Sequence, residues 1–98
     1  MIIITRTPNS ITVCGHANFA RHGKDIVCAS ISALAQTLIA SLEDMTEDTF
    51  SYNLEAGNVE IVFEKNLSER AQLLVDSFFI GADSIAAVYP RNVKVTKH

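Results

Sequence analysis

Short runs of β-branched or alternating apolar residues predict the β-strands of this chain. The first run covers residues 2–7 and stops at Pro8, and the second covers residues 11–15. Side chains at successive strand positions face opposite sides of a sheet. The second run therefore separates two pairs of side chains, Ile11 with Val13 on one face and Thr12 with Cys14 on the other.

Two further alternating segments predict a β-hairpin in the middle of the chain. Apolar side chains recur at every second position of residues 49–55 and again of residues 59–63. The turn between them is Ala56-Gly57-Asn58, which has the composition of a hairpin connection. A short final strand is predicted over residues 92–96.

Two longer segments have the spacing of helices. The first runs over residues 26–42 behind Asp25, a good N-cap residue, and its apolar residues occupy nearly every side. Such a helix is usually central in a fold. The second keeps a helical period from residue 67 to residue 85, with Asn66 and Glu69 resembling a capping box, and Pro90 ends it.

The predicted order ββαββαβ indicates an α+β fold, a small mixed β-sheet with two helices. With 98 residues, of which 48% are hydrophobic, the chain is sized for a single domain over residues 1–98. The net charge of -3 and the scattered basic residues argue against direct binding of nucleic acid. Polar residues interrupt the apolar segment 26–42, so it is interpreted as a buried helix and no membrane partner is expected.

The two cysteines indicate a cellular compartment. The first apolar run ends after a few residues at Arg6, so no signal peptide is expected. A reducing cytoplasm is then the default location, with Cys14 and Cys28 both as free thiols.

Candidate chemistry is concentrated around the start of the first helix. Counted from a cap at Asp25, Cys28 is the third helical residue, where unpaired backbone N–H groups and the helix dipole favour an anion. A thiolate is the reactive form of cysteine. His16 ends the preceding strand, and the connecting loop 17–24, predicted to be mobile, returns the chain to the helix. Cys28 and His16 are therefore the candidate nucleophile and base, with nearby backbone N–H groups as an oxyanion site.

Several simpler interpretations compete with catalysis. A cysteine on an apolar helix is more often a small core residue, and Asp25 is more typical of a cap than of a third catalytic residue. Ser32, one turn after Cys28, contacts the substrate or the thiol, or simply bonds a helix carbonyl. Gly23 either lets the loop approach a substrate or adopts a positive φ. A Cys2His2 zinc site is also conceivable, with Cys14, His16, His22 and Cys28 as ligands.

Two separated blocks resemble the signature of the ribosomal-processing cysteine protease (Prp) family. They are Gly15-His16-Ala17, followed by Gly23, and Asp25 to Ala29 with Ser32 to Leu34. The resemblance implies that His16 and Cys28 are the catalytic pair. No cofactor and no metal is expected for this chemistry.

The resemblance also implies a substrate and an assembly. Members of the family are homodimers in the bacterial cytoplasm that remove a short N-terminal extension from a large-subunit ribosomal protein, cutting after a Phe-Phe pair. Some relatives act on phage structural proteins. The loop 17–24 would order over bound peptide. Selectivity for an aromatic substrate residue would come from an apolar pocket, and we expect this loop and Phe19 to line it. An inactive relative acting as a dimeric binding module is the alternative, because fold does not fix function.

Overall fold

The structure, a computed structural model, describes residues 1–18, 20–21 and 25–98. Its elements follow the order ββαββαβ, which confirms the predicted α+β class. They are β1 Ile2–Arg6, β2 Ser10–Cys14, α1 Ile26–Met45, β3 Phe50–Glu55, β4 Asn58–Phe63, α2 Glu69–Val88 and β5 Val93–Lys97.

The five strands form one mixed sheet in the order β3-β4-β2-β1-β5. β1 pairs in parallel with β5 and antiparallel with β2, so that Ile4 lies between Val13 and Val95. The remaining pairs are antiparallel, and the β3–β4 hairpin is the one predicted from the sequence. The parallel pair brings the two ends of the chain together. On the other side of β1, β2 leads into the candidate site.

Both helices pack on one face of the sheet. The sheet residues buried on that face are Ile2, Ile4, Ile11, Val13, Val59, Ile61, Phe63 and Val93. As predicted, Ile11 and Val13 point into this core while Cys14 is exposed. Tyr52 and Leu54, on the inner side of β3, remain about half exposed.

The first helix is amphipathic rather than apolar on all sides. Its buried positions form one stripe: Val27, Ile31, Ala35, Leu38, Ile39 and Leu42. On other sides Ile26, Gln36 and Thr37 are exposed. The expectation of a fully surrounded central helix was therefore wrong, because the small and polar residues of α1 face away from the sheet. α1 also continues past residue 42 to Met45.

The second helix begins two residues later than its predicted capping box. Ser68, not Asn66, is the N-cap, and its hydroxyl accepts a hydrogen bond from the Ala71 N–H at 3.1 Å. Glu69 is then the first helical residue, too early to close a capping box. Ser68 is held by Asp48, whose carboxylate accepts the Ser68 N–H at 2.9 Å. Burial raises the pKa of Asp48, but hydrogen bonds from Ser68 and Thr46 outweigh it and leave the pKa lowered.

Both helices are long and apolar enough to cross a membrane when judged by length and composition alone. Core helices of globular proteins pass the same test. Here each helix contributes one stripe of buried residues to the core.

Candidate active site

The start of α1 is fixed by Asp25, as the sequence predicts. Its side-chain Oδ1 accepts the N–H groups of Val27 and Cys28, both at 2.9 Å. This is the geometry of an N-cap residue. It makes Cys28 the third residue of the helix and gives Asp25 a structural role at the site.

The sulfur of Cys28 is partly buried and receives a hydrogen bond from across the site. The Ala17 N–H donates to Sγ, with a nitrogen–sulfur distance of 3.2 Å. Ala17 itself is buried, with 2% of its surface exposed. Its carbonyl oxygen accepts a hydrogen bond from the side-chain Nδ2 of Asn92 at 2.9 Å. The thiol therefore faces the segment that follows β2.

His16 is brought over the β3–β4 turn. Gly15, just after β2, has a φ of 99°, and its N–H donates to the Gly57 carbonyl at 2.9 Å. Gly57 has a φ of 76°. The His16 imidazole lies against Gly57, where an added Cβ would approach Nε2 to 2.7 Å. The turn and the strand end thus position the imidazole together.

One cleft of about 670 Å³ joins these groups. It lies between the start of α1, the end of β2 and the β3–β4 turn. Four of the five site residues predicted from the sequence line it, namely His16, Asp25, Cys28 and Ser32. Ser32 is exposed, and its hydroxyl accepts a hydrogen bond from Gln36 Nε2 at 2.9 Å. The fifth, Gly23, lies outside the described residues, as do Phe19 and His22.

Most of the other cleft wall is apolar. The apolar lining residues are Ile2, Val13, Ala20, Ala29, Ile31, Ala35, Leu54, Ala56 and Val59. β3 and β4 contribute Leu54 and Val59 to this wall, α1 contributes Ile31 and Ala35, and the cleft volume falls in the range usual for ligand sites. The arrangement suits an apolar side chain presented beside a thiol and an imidazole.

Three of the described backbone N–H groups near Cys28 are already bonded, and the expected oxyanion site stays a prediction. The amides of Val27 and Cys28 donate to the Asp25 carboxylate, and the Ala29 N–H donates to the Asp25 carbonyl at 3.1 Å. An amide bound in this way is not available to an oxyanion. The donor that does meet the sulfur comes from Ala17.

The zinc alternative receives no support from the described ligands. Cys14 faces outward from β2, and its Sγ lies 3.5 Å from the Asn58 side-chain oxygen. Cys28 lies on the helix side of the sheet. Among the described residues no group of three or more His, Cys, Asp or Glu side chains could hold a metal ion, so Cys14, His16 and Cys28 do not form one.

Sequence reasoning missed Gly57 and Asn92 as parts of the site, and it named Ala17 only as a member of a signature block. Gly57 was visible as a turn residue, but its approach to His16 depends on the pairing of β2 with β4. Asn92 is 75 residues away from Ala17 along the chain. Only the parallel pairing of β1 with β5 brings the α2–β5 connection to the site.

Comparisons with known proteins show the family of this chain. A family model described as cysteine protease Prp matches residues 2–94. The ribosomal processing cysteine protease Prp of Bacillus subtilis is 30% identical over 97 residues, covering 89% of this chain and 83% of the relative.

Solved structures share the fold. The ribosomal processing protease Prp of Staphylococcus aureus, in complex with a covalently linked product peptide, aligns over the full length of both chains with a TM-score of 0.94 and 23% identity. The same protein in complex with a substrate peptide gives a TM-score of 0.88 and 22% identity, again over both full lengths.

Proposed function

The chain belongs to the cysteine protease Prp family and is a cysteine protease, and we propose that it uses Cys28 as nucleophile and His16 as base. The observation that carries this proposal is that the two side chains line one cleft. They reach it from different elements, Cys28 from the start of α1 and His16 from the end of β2. A cysteine paired with an imidazole is the minimum equipment for nucleophilic acyl transfer.

The reaction follows from the chemistry of these groups. His16 accepts the Cys28 proton, and the thiolate attacks the scissile carbonyl carbon to form a tetrahedral intermediate. His16 then returns the proton to the leaving amine as the carbon–nitrogen bond breaks. Water, deprotonated by His16, hydrolyses the remaining thioester and restores the thiol.

The proposed substrate is a peptide with aromatic residues before the cut. The Bacillus subtilis relative is named for ribosomal processing, and the Staphylococcus aureus protein binds a substrate peptide in one structure. Following the family resemblance of the two signature blocks, we propose that the chain removes a short N-terminal extension from a large-subunit ribosomal protein, cutting after Phe-Phe. A phage structural protein with the same sequence is the other candidate substrate. The apolar wall formed by Ile31, Leu54 and Val59 supports an aromatic preference.

A peptide assay tests the proposal directly. The purified protein is mixed with a peptide containing a Phe-Phe pair and with a matched Ala-Ala peptide, and the products are identified by mass spectrometry. Cleavage after the second Phe is expected in the first peptide alone. Cys28→Ala should abolish it, and Cys14→Ser should cleave at the wild-type rate because Cys14 faces away from the cleft. Cleavage by the Cys28→Ala variant would refute the role of this thiol.

The protein is also proposed to form a homodimer through α2. Leu73, Ile80 and Val88 lie along one side of this helix, and 69–70% of each side chain is exposed. Single exposed apolar residues are ordinary, but a row of large ones on one helix face is typical of an interface. A second copy of α2 offers the same apolar row, as a symmetric dimer requires.

A cytoplasmic location is proposed as well. Both thiols are free, which is usual in a reducing compartment. Fractionation of cells with an antibody to the protein tests this location, and recovery outside the cytoplasmic fraction would contradict it.

A further inference from the structure

We propose that Asn92 is a positioning residue for the nucleophile. Its side-chain amide binds the Ala17 carbonyl at 2.9 Å, and the Ala17 N–H donates to the Cys28 sulfur at 3.2 Å. Asn92 therefore acts on the thiol through Ala17, without touching it. The inference rests on the proposed catalytic role of Cys28.

The segment around Ala17 needs such support. Residues 16–18 follow the end of β2 and belong to no helix or strand. Gly15, just before the segment, and Asn18, at its end, adopt left-handed backbone, with φ of 99° and 56°. Backbone groups outside helices and strands are commonly bonded by side chains. The bond from Asn92 restrains Ala17 at its carbonyl, one residue after the candidate base.

Asn92 itself is firmly anchored. Its N–H donates to the Tyr89 carbonyl at 3.0 Å, and its own carbonyl accepts the Ile2 N–H at 2.8 Å. These bonds tie it to the end of α2 and to the start of β1. The Asn92 side chain thus extends from a backbone that is hydrogen-bonded on both sides, and its bond to the Ala17 carbonyl restrains that residue.

The hydrogen bond to sulfur has a chemical consequence. A donor facing the sulfur stabilises the thiolate more than the neutral thiol. The Val27 and Cys28 amides, which a helix start would otherwise offer, are bonded to Asp25. The Ala17 N–H is therefore the described backbone donor that meets the nucleophile, and its direction depends on Asn92.

Thiol alkylation as a function of pH tests the inference without any need for cleavage. The measurement uses a Cys14→Ser background, so that iodoacetamide reports on Cys28 alone. Asn92→Ala removes the side-chain amide, and Asn92→Asp keeps its shape without the donor. Both should alkylate about threefold to tenfold more slowly near neutral pH. Peptide cleavage should lose kcat by a similar factor while KM changes little.

Arg91→Ala is the matched control, since it alters an exposed residue in the same connection. It should keep the parental alkylation profile, and circular dichroism should show folded protein for all variants. Asn92 variants with the parental profile and kcat would overturn the inference, as would an equal shift in Arg91→Ala. Cleavage by Cys28→Ala would instead overturn the proposed function, because alkylation of Cys28 is measured independently of catalysis.

Discussion

The His16 imidazole lies directly against the backbone of Gly57. A Cβ built on Gly57 would approach Nε2 to 2.7 Å and Cε1 to 3.0 Å, both closer than ordinary contact. His16 is exposed to solvent, so few other groups restrain its ring. The β3–β4 turn therefore supports the His16 ring from below. The ring can lie there because Gly57 has no side chain.

Gly57→Ala should displace the imidazole and lower peptide cleavage by on the order of tenfold to a hundredfold, because misplaced catalytic groups lose rate steeply. The variant also strains the backbone, since Gly57 has a φ of 76°. Gly57→Asn separates the two effects, because Asn tolerates positive φ but still carries a Cβ. Both variants should lose activity, and Gly57→Asn should melt closer to the wild type. Full activity in Gly57→Asn would disprove the steric argument.

Asp25→Ala should destabilise the protein by about 0.5–2 kcal/mol through loss of the helix cap. Asp25 Oδ1 holds the N–H groups of Val27 and Cys28. Asp25→Ser keeps an N-cap acceptor, so it should recover most of the stability and of the cleavage rate. Urea unfolding and peptide cleavage measure the two effects. A Ser variant that is stable yet inactive would instead make Asp25 part of the catalytic machinery.

The sequence was most informative where local rules decide the structure. Alternation predicted the strands and the β3–β4 hairpin, and the cap at Asp25 correctly placed Cys28 near the helix start. The predicted start of α2 was wrong because Asn66 and Glu69 have the residue types and the spacing of a capping box. Ser68 is preferred because Asp48, 20 residues earlier, fixes its backbone. A local capping pattern cannot reveal Asp48, because it lies too far away along the sequence.

The rest of the site depends on contacts between distant segments. Asn92 meets Ala17, and Gly57 meets His16, only after β1 has paired with β5 and β2 with β4. The sequence gives no sign that the helix amides are bonded to Asp25 rather than open to a substrate. The pairing of Cys28 with His16 could be anticipated because the resemblance joined two blocks that the fold brings to one cleft.

Ile80→Glu should weaken the proposed homodimer. Its side chain is 70% exposed in one copy of the chain, and a charge buried there in a dimer would be costly. The dissociation constant should rise on the order of a hundredfold or more. Light scattering coupled to size-exclusion chromatography measures the mass of each variant. Thr37→Glu, on the exposed side of α1, is the matched control and should remain dimeric. A wild-type protein that is already monomeric would contradict the proposal.

An ion pair between Arg6 and Asp76 links β1 to α2. One guanidinium nitrogen lies 2.6 Å from Asp76 Oδ1, and the guanidinium lies 5.0 Å from the centre of the Phe79 ring. The hydrogen bond from Arg6, followed by that from Gln72, lowers the pKa of Asp76 below its ordinary value of 3.8. The carboxylate is therefore stabilised in the folded state.

Because the pKa of Asp76 is lowered, the stabilisation by its ion pair with Arg6 depends on pH in a defined direction. Because the folded state has the lower pKa, the stabilisation is complete above pH 3.8 and is lost as the pH falls through the folded value. Asp76→Asn should thus lower the free energy of unfolding by about 0.2–1 kcal/mol at neutral pH, and by less below pH 3.8. The effect is small because half of the Asp76 side chain is exposed. Urea unfolding at both pH values measures the difference. Asp83→Asn, which removes the longer 3.4 Å pair with Lys97, should show a smaller effect. An Asp76→Asn cost that stays constant or grows in acid would contradict the assigned role of Arg6.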